Sequence, residues 1–210
     1  MNKTTTMVSG SGPVSCGGRQ AAVALLLALL PALALAHEES GQAAGFVSGF
    51  LHPLSGLDHV AAMVAVGLWG AVLGAPALWM LPVAFPVMMA VGGLIGLLGW
   101  PLPGVEVGIA ASAIVLGVAV LANLRPALGI ALALVAVFAI FHGYAHGAEL
   151  PEGGNALLYS LGFVVATGML HGVGIFIGEA HKWAVGRQLV RAAGGGIALA
   201  GAFFLWRALV

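Results

Sequence analysis

Along the chain, apolar residues run in unbroken blocks long enough to cross a bilayer, and polar residues gather in the short gaps between them. After residue 55 the blocks lie near 56–74, 77–99, 105–122, 127–147, 155–180 and 187–208. The gaps read "GAP" at 74–76, "GWPLPG" at 99–104, "NLRP" at 123–126, "ELPEGGN" at 149–155 and "HKWAVGR" at 181–187. Most carry the glycine, proline or asparagine that interrupts regular structure. A helical span needs about 20 apolar residues, and continuous blocks without alternation argue against barrel strands. The pattern predicts an all-α membrane protein with six transmembrane helices in one domain, residues 37–210.

An earlier apolar run, "AAVALLLALLPALALA" at 21–36, follows Lys3 and Arg19 and ends with Ala34 and Ala36. A weakly basic start, a short apolar stretch broken by Pro31 and an A-x-A ending predict a signal peptide over 1–36. The alternative is a first helix that stays attached. Cleavage puts the new N-terminus, His37, outside. Loops 75–77, 123–126 and 181–187 then face the cytoplasm, and they hold Arg125, Lys182 and Arg187, with Arg191 just beyond. The outer segments carry Glu38, Glu39, Glu106, Glu149 and Glu152, and the only basic residue there is Arg207 at the far end. This is the distribution that the positive-inside rule demands.

Composition narrows the partners. Only 7% of residues are charged, against about 25% in a soluble domain, and mean hydropathy is +1.09. The lipid bilayer is therefore the main neighbour. Net charge is zero, with no basic patch to hold nucleic acid. Thirty-three glycines suit helices that pack closely in lipid. The sole cysteine, Cys16, lies in the signal segment, so the mature chain has no thiolate ligand or disulfide. Oligomerisation is left open. Trp69, Trp79, Trp100, Trp183 and Trp206 fall mostly near helix ends, as an interfacial belt would place them.

Against this background the polar residues are informative, because a charged carboxylate in a bilayer costs about 2.5–3.5 kcal/mol on insertion scales. "FLHPLSGLDHVAAM" sets His52, Asp58 and His59 at the outer end of the first block. The fourth block runs outward and ends in "FHGYAHGAEL", bringing His142, His146 and Glu149 to the same level. His142 and His146 are four apart and share a helical face; His59 and Met63 repeat the spacing, with Met63 a candidate thioether ligand or core residue. Imidazole with carboxylate suits nickel, cobalt or zinc, and the lack of thiolate argues against copper(I). Asp58 either binds the ion or orients a ligating imidazole. Pro53 and Gly56 place His52 on a loop over the entrance.

His171 lies about 24 Å along the fifth helix at 1.5 Å per residue, past the midplane, with glycines at 168, 172 and 174 expected to leave space beside it. It reads as a second station on an inward path, the alternative being a hydrogen bond to a neighbouring helix. Glu179 and His181 mark an exit or a solvated loop. Thr167 and Asn155 line a path or merely pack and cap, and Glu106 starts a helix, where a carboxylate is favourable by itself. The amino group and imidazole of His37, beside Glu38 and Glu39, form either a capture site or a solvated acidic tail.

"HPLSGLDHVAAMVAVGLW", "FHGYAHGAEL" and "GFVVATGMLHGVG" together resemble the HupE/UreJ family of bacterial membrane proteins. The resemblance spans essentially the whole mature chain. It implies a permease of the inner membrane, importing nickel or cobalt for hydrogenase or urease, without a prosthetic group. By motif it implies that His52, Asp58 and His59 are needed for transport and that His142, His146 and Glu149 share the pathway. The rival readings are a metal-binding assembly or sensor subunit and a zinc-dependent intramembrane hydrolase. Against the hydrolase, the paired histidines read H-G-Y-A-H without the glutamate of H-E-x-x-H, and no G-x-S-x-G elbow occurs. Nor is there a phosphate-binding G-x4-G-K-[ST] loop, so the expected driving force is membrane potential or proton exchange.

Overall fold

The computed structural model describes residues 42–148 and 155–210. Among them it has seven α-helices and no strand: α1 Gln42–Ser55, α2 Leu57–Leu73, α3 Ala77–Leu97, α4 Val105–Leu121, α5 Leu128–Ala148, α6 Ala156–Gly178 and α7 Ala184–Leu209. A 3₁₀ turn, Glu179–Lys182, joins the last two. Helices α2 to α7 occupy the six apolar blocks. Four of them, α3, α5, α6 and α7, are each long and apolar enough to cross a membrane, and α1 with α2 counts as one further span bent by 82°. Helix α4 is apolar but only 17 residues long. The chain is a multi-pass membrane protein.

Helix α1 corrects the sequence reading, which put His52 on a loop. His52 is helical, in the last turn of α1, followed by Pro53 inside the same helix. Proline costs a helix its bond to the carbonyl four residues back, here that of Gly49, but so close to the end the helix survives it. The break comes at Gly56, whose extended backbone (φ −96°, ψ 112°) turns the chain into α2. Breaking there places His52 at the end of one helix and His59 at the start of the next.

The exterior is apolar, unlike that of a water-soluble protein, and a few polar groups lie within an apolar core. Phe176 and Leu199 are 82% and 75% exposed, whereas Ser112, His142, His146, Thr167 and His171 are buried. Lipid accepts the apolar exterior, and polar groups turn inward because hydrocarbon cannot hydrogen-bond them. Trp79, Trp100, Trp183 and Trp206 are exposed as expected, but Trp69 is not. It is buried, and its Nε1 donates to the Leu124 carbonyl at 3.0 Å, tying α2 to the segment after α4. An indole placed inside a bundle needs such an acceptor, so Trp69 is a core residue.

Glycines set the helix pairs. A Cβ on Gly143 or Gly147 of α5 would run into the carbonyls of Met89 or Gly93 of α3. On α2 and α6, Gly67 lies against the His171 carbonyl and Gly174 against that of Val64; on α4 and α7, Gly117 and Gly194 meet. Backbones approach this closely only where no side chain intervenes. The registers 89 with 143 and 93 with 147 make α3 and α5 parallel, and 64 with 174 and 68 with 178 make α2 and α6 parallel. Ile114 facing Gly201 and Leu121 facing Gly194 make α4 and α7 antiparallel. A chain that reverses direction at every loop after α2 requires each of these relations.

Candidate metal centre

Three helix ends converge where α1 breaks into α2, where α5 finishes and where α6 begins. The His59 ring centroid is 4.9 Å from that of His142 and 4.7 Å from that of His146, and His52 lies 4.8 Å from His146. Four imidazoles from α1, α2 and α5 thus form one cluster. Its wall on the α6 side is aromatic: Phe163 sits 4.4 Å from His146, and Tyr159 lies 5.9 Å from His52. A groove of about 280 Å³ between α3, α5 and α6 reaches His146. The rings pack largely edge-on, and among the described residues no three His, Asp or Glu side chains are already drawn around one centre.

Hydrogen bonds determine which nitrogen of each ring is available. Asp58 Oδ1 accepts from the His59 backbone N–H and faces its Nδ1, both at 2.9 Å. A carboxylate in that place holds the proton on Nδ1 and leaves the Nε2 lone pair bare. His59 Nε2 is buried with no hydrogen-bond partner. Asp58 therefore acts on the imidazole, the second of the two roles open to it from sequence.

His142 is oriented in the same way by a residue that sequence reading passed over. Ser112 of α4 donates its hydroxyl proton to the Ile109 carbonyl at 2.6 Å, while its oxygen lies 3.0 Å from His142 Nε2. A hydroxyl has one proton, so Nε2–H must be the donor to Ser112 and the Nδ1 lone pair is bare. That Nδ1 is buried without a partner, as are both nitrogens of His146. The signal was available: Ser112 is the only hydroxyl-bearing residue in α4. An unmet buried polar group costs about 1–3 kcal/mol. His59 Nε2, His142 Nδ1 and both nitrogens of His146 are thus buried and unpartnered, with the His59 ring next to both of the others.

The remaining candidates divide. His37 and Glu149 lie outside the described residues, as does the signal segment 1–36. Met63 is fully buried in the apolar core. Asn155 caps α6, accepting from the Leu158 N–H at 3.1 Å, and Glu106 lies in the first turn of α4. Glu179 pairs with Lys182, and His181 Nδ1 contacts the Gly178 carbonyl at 2.8 Å, so both are engaged in the local turn. His171 is buried deep on α6, apart from the cluster, and Phe85 of α3 touches it. Of the glycines near His171, Gly168 and Gly172 border open space on exposed positions of α6, where a Cβ would meet nothing, whereas Gly174 is packed on α2.

Comparison with known proteins agrees with the motifs. Residues 25–204 match the profile described as HupE / UreJ protein. The chain is 43% identical over 180 residues to Protein HupE of Rhizobium leguminosarum bv. viciae, covering 85% of this chain and 94% of that one. No solved structure matches. With a profile match over most of its length and a relative so similar from end to end, the chain belongs to the HupE/UreJ family.

Proposed function

We propose that this chain is a secondary permease that imports a divalent transition metal, nickel or cobalt, from the periplasm across the bacterial inner membrane to supply hydrogenase or urease maturation. The observation that carries the reading is the cluster of His52, His59, His142 and His146 at one end of a lipid-facing bundle, with buried, unpartnered ring nitrogens on His59, His142 and His146. In this reading the imidazoles replace part of the ion's hydration shell and small side-chain rotations draw them around it, while Asp58 and Ser112 hold two of the rings in the right tautomer. Glu149 and His37 would belong to the same outer mouth, and His171 would receive the ion further in. Six spans with the N-terminus outside fit the helix directions and put Arg125, Lys182, Arg187 and Arg191 on the cytoplasmic side. The ion moves down the membrane potential, worth about 2.3 kcal/mol per charge per 100 mV, or in exchange for protons.

The test is influx of nickel, cobalt, zinc and iron(II), each offered alone, into proteoliposomes carrying the purified protein, with His59→Ala in parallel. Saturable entry of nickel or cobalt, abolished by the substitution, is expected. Ligation needs neutral imidazole, whose ordinary pKa is about 6.5, so influx should fall as the outer pH drops below that value. Full influx at pH 5 would count against histidine ligation, and tight binding with no entry would replace the permease reading with that of a metal-binding subunit.

A further inference from the structure

The buried face of α6 carries Tyr159, Phe163, Thr167 and His171, four residues apart and hence one above another. The first two line the outer cluster. The second two lie deeper and are polar: Thr167 Oγ1 and both ring nitrogens of His171 are buried with no hydrogen-bond partner. A threonine in a helix ordinarily bonds the carbonyl one turn back, and a deep imidazole ordinarily finds a neighbour. Neither does so here.

Helix α3 supplies what faces His171. It contains Pro82 and Pro86, spaced by one helical turn. The carbonyl of residue 82 would normally accept from the N–H of residue 86, but proline has none. The Pro82 carbonyl thus lacks its helical donor, and it is the backbone group that interacts with His171. Between the prolines, on the same helix, sits Phe85, fully buried. Its ring centroid is 5.5 Å from that of His142 on the outer side and 5.4 Å from that of His171 on the inner side. It stands between the two sets of unpartnered nitrogens.

We propose that His171, Thr167 and the open carbonyl of Pro82 form a second cation station, and that the Phe85 ring is the gate dividing it from the outer histidine cluster. An imidazole nitrogen with two neutral oxygens is a weaker donor set than several imidazoles, as a site that must release its ion inward requires. Pro86 acts by withholding an N–H. The inference rests on the permease reading, yet it makes claims about binding that can be read without transport.

The experiment is stopped-flow binding of nickel, and separately cobalt, to the purified full chain in detergent, followed by competition with a metallochromic dye. Two phases are expected, a fast one from the outer cluster and a slow one gated by Phe85. His59→Ala should remove the fast phase. His171→Ala should remove the slow phase alone. Pro86→Ala, which alters no ligating side chain and restores the missing N–H, should cut the slow phase's affinity about ten-fold or more, as loss of a supporting group at a metal site does. Phe85→Leu, which keeps the core filled, should speed the slow phase several-fold at unchanged amplitude. One phase indifferent to residues 85, 86 and 171 would overturn the proposal even if proteoliposomes import the ion. A slow phase that responds as stated, with no influx, would uphold it and remove the permease reading. No binding at all would remove both.

Discussion

Asp58 and Ser112 perform one task on two rings. Each takes the proton-bearing nitrogen of an imidazole, of His59 and His142 respectively, and so exposes the lone pair on the opposite edge. Neither residue need touch the ion. Asp58→Asn retains an acceptor but removes the charge that holds the proton on Nδ1, and Ser112→Ala leaves His142 free to adopt either tautomer. Each should weaken nickel binding to the detergent-solubilised protein about 10–100-fold, with thermal stability little changed for the exposed-edge Asp58. Binding equal to wild type in Ser112→Ala would reduce that hydroxyl to a packing group. Histidine spacing revealed the candidate ligands from sequence. Which nitrogen of His142 is available was not legible, because Ser112 on the preceding helix decides it, whereas the partner of His59 is its sequence neighbour Asp58.

Among the helices, the pairing of α3 with α5 matters most to the site, since it sets Phe85 and His142 at contact distance. That pairing depends on Gly143 and Gly147, whose missing side chains admit the carbonyls of Met89 and Gly93. Gly143→Val should force these helices apart, costing about 1–3 kcal/mol as overpacking does, and should lower both folded yield and metal binding. Gly172 is the control. Its Cβ would meet nothing, so Gly172→Ala should leave binding intact and raise stability by up to about 1 kcal/mol through helix propensity. Equal effects in the two variants, measured by thermal unfolding in detergent, would show that the glycine contacts do not govern packing. The six apolar blocks were read to within a few residues. Helix α1 was missed because Gly45, Gly49, Pro53 and Gly56 are helix breakers by local rule, and only packing of Gly49 against Tyr159 and Gly162 against Phe46 outweighs them.

For the molecule as a whole, parallel α2 and α6, parallel α3 and α5, and antiparallel α4 and α7 give a chain that reverses at each loop. The histidines of α2 and α5 therefore reach the same end, and Arg125, Lys182, Arg187 and Arg191 gather at the other, with Arg207 the exception. Arg191 reinforces that end, its Nε donating to the Leu121 carbonyl at the C-terminus of α4 at 2.7 Å, where a cation is favoured. Orientation in the membrane can be read with single cysteines in a Cys16→Ser background. Pro103→Cys should react with a membrane-impermeant maleimide on intact cells, and Leu124→Cys only after permeabilisation. The reverse pattern would place the histidine cluster in the cytoplasm and turn import into export.

Hydropathy alone determined that this is a helical membrane protein and where its main helices lie, and alternation of direction brings His59, His142 and His146 to one end. Those properties follow from local composition and from alternation of direction, which need no knowledge of contacts. Tertiary structure decided the rest. It folded residues 42–55 into a helix that carries His52 to the cluster, and it buried Trp69 against Leu124. It set the free nitrogen of His142 through Ser112 of another helix and stood Phe85 between His142 and His171. Ring orientation and depth depend on partners contributed by separate helices, and the periodicity of a single helix carries no information about them.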